Sequence, residues 1–469
     1  MEPEERVKRI QKIRKRKRAR MAKFRRFFAL FFVASLVIVA VLNLVVPDRK
    51  FSGEENRNLA QKPALTRTGI TTGKFMENFE NYFSDQFVGR DMWISIKLTL
   101  ERASGKRESN GVYLGKKGHL LEQPNEPSWD DVQKNMNAVQ NFASRHSDLN
   151  INFCLVPNAF YIQSQYLPKD APVRDQRKDI ERIKSMAGSV SFLDPSDTLK
   201  EHSDEYIYYK TDHHWTSLGA SYAFSAIAGS LGIENPETEY QIYTVSDDFQ
   251  GTLSSKSGYH GTSDTVQVFK PKGEDLEYVV EYVDTGEKTT SIFDSSALKE
   301  KDKYQVFFGG NHAQINITTT NTEGKNLLIF KDSYANCFVQ FLLPYYQSIT
   351  IIDPRYYYDN IDTLVSNSAI TDVLFLYNVN SFVTDNSLGD VLAPSDSESE
   401  SETEEQGMES INASSSSSES VVSDSAEAAG AESVQSDSSE SVEAESVQSD
   451  SSESADSESA NPQSGDNSS

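Results

Sequence analysis

Apolar positions along this chain change their rhythm several times, and each change predicts a different element. Residues 27–46 form an uninterrupted run, FFALFFVASLVIVAVLNLVV, without a charged side chain. At ~1.5 Å per residue, such a run as a helix matches a hydrocarbon layer of ~30 Å. Phe75, Phe79, Tyr82 and Phe83 then recur at helical spacing, which predicts helix within 70–102. From about 131 the pattern alternates. Helix is predicted around 131–145, a short buried strand over 151–156 ending at Pro157, helix over 178–187 and strand over 190–193. Residues 206–208 read as extended, and 217–231 as an amphipathic helix closed by Gly232. Residues 238–295 read as strands and loops inserted into the domain. The series ends with strand at 326–330, helix at 334–343, and strands at 348–352 and 371–377. Short apolar strands alternating with helices predict an α/β fold, a central parallel sheet sandwiched by helices.

Charge divides the same chain into four parts. Residues 1–26 hold 13 basic and 3 acidic residues, about +10, and 27–46 hold none. Residues 396–469 hold 20 acidic and no basic residues, and the remainder brings the total to −24. The basic arm has a single aromatic, Phe24, so it lacks the interleaved rings of a nucleic-acid-binding segment. It reads instead as a topology signal. The run ends in Leu44, Val45, Val46 and Pro47 without a small-residue cleavage pattern, which predicts an uncleaved signal-anchor. With positive charge retained inside, residues 1–26 would be cytoplasmic, 27–46 would span the cell membrane once, and a domain over 47–393 would lie outside. Residues 394–469, rich in Ser, Glu, Asp and Ala, contain AESVQSDSSES at 431–441 and again at 444–454. Such composition buries too little apolar area to offset chain entropy, so a disordered tail is predicted, most simply a solvated spacer.

Two cysteines, Cys154 and Cys337, both in apolar stretches, predict buried free thiols rather than a disulfide framework. Two short segments carry candidate chemistry. One is Tyr209-Lys210-Thr211-Asp212-His213-His214-Trp215-Thr216, just before a helix. The other is Lys331-Asp332-Ser333-Tyr334, between a strand and a helix. A serine at a strand-to-helix turn is held at the edge of a sheet, near helix amides suited to an oxyanion. It needs a base, and Asp212 with His214 supplies one together with its orienting carboxylate. Two other readings stand beside this. Asp212, His213 and His214 resemble a metal-ligand cluster, although no third element supplies an obvious further ligand among His202, His260 and His312. Alternatively Asp212 caps the helix near Ser217 while a histidine packs in the core.

The string TDHHWT at 211–216 is the signature of the DHHW family, which resembles the SGNH hydrolase-like domains of alginate O-acetyltransferase proteins. The likeness extends to ENRNLAQKP at 55–63, FMENFENYFSDQFVGR at 75–90 and GVYLGKKGHLL at 111–121. It continues through FFGGNH at 307–312, KDSY at 331–334, DPRYY at 353–357 and LYNVN at 376–380. The resemblance implies a three-layer SGNH-like domain in which the Asp-x-His pair precedes the serine, a circular permutation of the usual order. It assigns Asp212 as orienting acid, His214 as base and Ser333 as nucleophile. Arg355 and Tyr377 fall where the family has polar site residues, against a plainer reading as a surface pair and a core side chain. Gly310 and Asn311 are candidate oxyanion donors from a glycine-containing loop. Lys331 departs from the pattern, since many relatives have glycine there, and its side chain could restrict the approach of substrate.

By resemblance, the expected activity is an O-acetyltransferase that passes an acetyl group through Ser333 to a cell-envelope polysaccharide. A membrane-bound O-acyltransferase would deliver the acetyl group, with no cofactor and no metal. The alternatives are a carbohydrate esterase using water as acceptor, and a non-catalytic module that binds glycan or a partner.

Overall fold

Runs such as NINFCLV and DVLFLYN are apolar at consecutive positions, so as strands they need cover on both faces. The computed structural model, which describes residues 3–394 apart from 170, 173, 238, 273–275 and 323, supplies it. Eight strands form one sheet: β1 Asn150–Val156, β2 Ser191–Leu193, β3 Tyr278–Tyr282, β4 Glu287–Thr289, β5 Gln314–Thr319, β6 Lys325–Lys331, β7 Tyr346–Ile352 and β8 Asp372–Asn378. Their spatial order is β4-β3-β5-β7-β6-β8-β1-β2. The five strands from β7 to β2 are mutually parallel. β5, β3 and β4 extend that sheet antiparallel on one side. The sheet is thus mixed, with the expected parallel part at its heart.

Alternation along each strand sends neighbouring side chains to opposite faces. Cys154, Val156, Ile329, Leu374 and Leu376 enter one core; Phe153, Leu155, Leu328, Phe330 and Phe375 enter the other. The first is covered by a helix over Ser217–Ile227 through Ala220, Ala223, Phe224 and Ile227. The second is covered by helices over Trp129–Arg145, Gln176–Ser185 and Ile361–Asn367. The result is the helix–sheet–helix sandwich expected of an SGNH-like α/β domain. Cys154 and Cys337 are free and buried.

In chain order the helices used below are α1 Pro3–Val45, α2 Lys74–Gln86, α3 Arg90–Ala103, α4 Trp129–Arg145, α5 Gln176–Ser185, α6 Ser217–Ile227, α7 Thr252–Ser257 and α8 Ala335–Phe338. α1 joins the basic arm and the apolar run in one helix, long and apolar enough to cross a membrane. The tail expected to be disordered lies outside the described residues from 395 onward.

Two expectations are corrected. Residues 238–295 are not simply inserted: β3 and β4 belong to the central sheet, pairing with β5. An antiparallel ribbon, Tyr240–Phe249 with Asp264–Pro271, encloses α7. Alternation marked strands there, but it carries no information about which distant strand they pair with. The helix expected over 334–343 is instead α8 followed by two short 3₁₀ turns, Val339–Phe341 and Leu343–Tyr345, the second containing a proline.

Candidate active site

β6 carries Lys331 to the carboxyl edge of the sheet, and the chain turns there before α8. Asp332 fixes the turn: its carboxylate accepts the Tyr334 N–H at 2.9 Å and the Asn378 N–H at 2.8 Å, tying the ends of β6 and β8 together. Burial raises its pKa, and those donors oppose the rise. Ser333 is thereby held at the rim, half-buried.

The loop before α6 is fixed from below. Buried Asp264 accepts the N–H groups of Lys210 at 2.8 Å and Thr211 at 2.6 Å, the Thr211 hydroxyl at 2.6 Å and the Tyr206 hydroxyl at 2.7 Å. Tyr208 and Trp215 pair across the loop. α6 is capped by Thr216, whose hydroxyl accepts the Gly219 N–H at 3.3 Å, so Asp212 does not serve as the cap. It turns to His214 instead. Its Oδ1 accepts the His214 backbone N–H at 3.0 Å and lies 2.6 Å from Nδ1. Its Oδ2 accepts the N–H and hydroxyl of Thr252, at the start of α7, at 2.8 and 2.9 Å. The backbone of Gly251 passes so close that a Cβ there would lie 2.3 Å from the Asp212 side chain. His214 Nε2 lies 2.7 Å from Ser333 Oγ.

Electrostatics set the protons. Burial opposes the charged form of Asp212, but His213, His214 and the donated hydrogen bonds outweigh it and hold the carboxyl well below the usual carboxylate range. Burial, joined by the neighbouring His213, pushes His214 down to about 4, against the pull of Asp212. The imidazole is therefore neutral near pH 7. Ionised Asp212 can only accept, so Nδ1 carries the proton and Nε2 presents a lone pair to the Ser333 hydroxyl.

Three aromatic side chains join the two loops. The Tyr304 ring stacks on His214, centroids 3.8 Å apart, and its hydroxyl donates to the Ser333 carbonyl at 2.9 Å. Trp215 Nε1 donates to the Tyr334 carbonyl at 2.9 Å, and the Tyr334 hydroxyl donates to the His213 carbonyl. His213 itself bonds through Nδ1 to the Thr252 hydroxyl at 2.7 Å.

The remaining sequence candidates take distinct places. Gly310 and Asn311 lie in a loop tied to α8 by Asn336 Nδ2, which donates weakly to the Gly310 carbonyl and Asn311 Oδ1. Neither bonds to Ser333. The N–H groups of Gly310, Asn311 and Ser333 have no acceptor among the described residues. Lys331 is buried, and its ammonium donates to Asn311 Oδ1 at 3.0 Å and to buried Asp353 at 3.2 Å. Arg355 grips the same Asp353 through two hydrogen bonds, 2.8 and 2.6 Å. Tyr377, on β8, is core, and its hydroxyl has no partner among the described residues. Arg355, Tyr377, Lys331 and Asp332 line one polar cleft of about 370 Å³ with His213 and Asn380. Asp212, His213 and His214 also lie close enough, within 4.8 Å, to hold an ion. Each nevertheless spends a ligating atom on the bonds above. Thr252, Gly251, Asp264 and Tyr304 escaped the sequence reading, having no local motif and acting from segments 29 to 90 positions away from the residues they serve.

Comparison with known proteins agrees with this fold. The family model of DHHW proteins matches residues 168–352, which contain Asp212, His214 and Ser333. A crystal structure of a DHHW family protein from Eubacterium siraeum superposes at TM-score 0.53 with 27% identity, covering 60% of this chain and 95% of that one. Bacillus cereus PatB1 with a sulfonyl adduct superposes at 0.51 with 18% identity, covering 60% and 97%. PatB1 without the adduct gives 0.50 with 20% identity, covering 58% and 96%. No curated protein matches the chain. The segment that supplies both loops of the site thus matches the DHHW family model, and the chain shares its SGNH-like fold with a DHHW family protein.

Proposed function

We propose that Ser333, His214 and Asp212 form an acyl-transfer triad, and that the protein is an extracytoplasmic O-acetyltransferase for a cell-envelope polysaccharide. The observation that carries this reading is the 2.7 Å contact between His214 Nε2 and Ser333 Oγ, residues 119 positions apart, with Nδ1 held on Asp212. Neither helix capping nor core packing calls for that alignment.

In the proposed reaction Ser333 Oγ attacks the carbonyl carbon of an acetyl donor while its proton passes to Nε2. The unpaired N–H groups of Ser333, Gly310 and Asn311 are the available donors for the oxyanion. The bond to the leaving group breaks, and that group takes the proton from His214. An acceptor hydroxyl then gives its proton to Nε2 and attacks the acetyl-serine, and Oγ leaves with the proton returned. Asp212 stabilises the imidazolium formed in each half. The polar cleft holding Arg355 and Tyr377 is the proposed acceptor site. The apolar part of α1 is proposed to anchor the domain with residues 1–26 in the cytoplasm, facing a membrane-bound O-acyltransferase that supplies acetyl groups.

The test is acetyl release from p-nitrophenyl acetate by the purified chain. Ser333→Ala and His214→Ala should each lower kcat by on the order of 10³-fold without loss of far-ultraviolet dichroism. Transfer to an added glycan, detected as acetylated product, separates the transferase from an esterase that uses water. A folded wild type with no turnover and no acetylated Ser333 overturns the triad reading.

A further inference from the structure

Two helices carry apolar stripes that no other part of the described chain covers. On α3, Met92, Trp93, Ile96 and Leu100 share one face and are 55, 49, 43 and 65% exposed, while Leu98 on the opposite face is buried. On α2, Met76, Phe79 and Phe83 make a second stripe, 58, 40 and 51% exposed. Apolar side chains exposed contiguously along a helix face mark an interaction surface rather than ordinary scatter.

Their place in the fold says what covers them. The end of α2 and the start of α3 meet the chain where it leaves α1. Gln86 Oε1 accepts the Arg49 N–H at 2.8 Å, and Arg49 pairs with Asp91 at 2.9 Å. The Tyr82 hydroxyl donates to Asp48, and the Val88 N–H donates to Asn43 Oδ1 at 2.8 Å. Asn43 lies inside the apolar run 27–46, about one helical turn from its end. A bilayer crossed by that run therefore has its headgroup boundary beside the α2–α3 junction. Tryptophan prefers that boundary, and exposed Lys97 sits at the edge of the α3 stripe, where an ammonium suits lipid phosphate.

We propose that α2 and α3 bury these stripes in the interfacial layer of the membrane that α1 crosses. The domain is then seated on the lipid surface rather than swinging from its anchor. This rests on the reading of residues 27–46 as a membrane span.

The experiment uses the full chain in vesicles of phosphatidylcholine and phosphatidylglycerol, with and without bromine on the acyl chains. Flotation after alkaline wash reports the anchor separately. Brominated lipid should quench part of the tryptophan emission, and that quenchable part should be lost in Trp93→Phe. As a second readout, Ile96→Cys carrying a nitroxide should relax faster with oxygen than with a nickel chelate, and Tyr358→Cys, at a 90% exposed site, the reverse. The two native thiols are buried and should not take the label. A chain that fails to float overturns both the span and the seating. A chain that floats, with equal quenching in wild type and Trp93→Phe and a nickel-accessible label at Ile96→Cys, overturns the seating alone. That result would assign the stripes to a protein partner.

Discussion

Asp212 is the residue on which the site turns, because four donors converge on its two oxygens. Two of them belong to Thr252, and the chain reaches that position only because Gly251 has no side chain. Gly251→Ala should displace the Asp212 carboxylate or the start of α7. The expected kinetic result is a fall in kcat of ten-fold or more with a smaller change in KM, measured by acetyl release, because orientation of the base is lost while the cleft is kept. His214 sets the pH dependence. With its pKa pushed down to about 4, against an ordinary ~6.5, the base is neutral down to mildly acidic solution. Activity should rise through about pH 4 and hold above it, and a pH profile of kcat/KM with its acid limb near 6.5 would contradict this. Stability has the matching sign. Between 6.5 and 4 the unfolded chain takes up a proton that the folded one refuses, so stability is lost as the pH drops from 6.5 to 4 and regained as it rises.

Elements hold these residues by long-range bonds more than by local propensity. Asp264, in the second strand of the ribbon around α7, fixes the loop at 210–211 through three of its four hydrogen bonds. Asp264→Ala should leave buried donors unmatched, at a cost of about 1–3 kcal/mol each. The expected signature is a lower melting temperature together with a kcat loss that outlasts correction for the unfolded fraction. Strands β1, β6, β7 and β8 were legible in the sequence to within about two residues. Strands buried on both faces read as short continuous apolar runs, too brief for the helix that the longer run over 27–46 forms. The loop and turn holding Asp212, His214 and Ser333 were legible too, because each is a short motif beside a strand or helix boundary. α7 was not, since TLSSKS has no hydrophobic period and contributes through the amide and hydroxyl of a single threonine. Tyr304 was hidden for a related reason: its ring looks like any core tyrosine until the fold lays it on His214.

At the scale of the whole molecule, the described structure is held without covalent cross-links. Cys154 and Cys337 are separate buried thiols, and burial pushes Cys337 up to about 12, which keeps it protonated and unreactive. Dithiothreitol should therefore leave the melting temperature unchanged, and a downward shift on reduction would show a bridge between them. The sheet instead draws on distant parts of the chain. β1, at 150–156, is paired on its inner side by β8, at 372–378, residue for residue from Asn150 with Asp372 to Val156 with Asn378. A chain emerging from its amino end consequently exposes a bare apolar strand early and completes its neighbour last. Closure of such distant pairs is slow, and unpaired edges invite association in the interval. The arrival of the final strand thus sets the earliest moment at which the nucleophile turn, braced by Asp332 on Asn378, can meet a histidine loop synthesised more than a hundred residues before it.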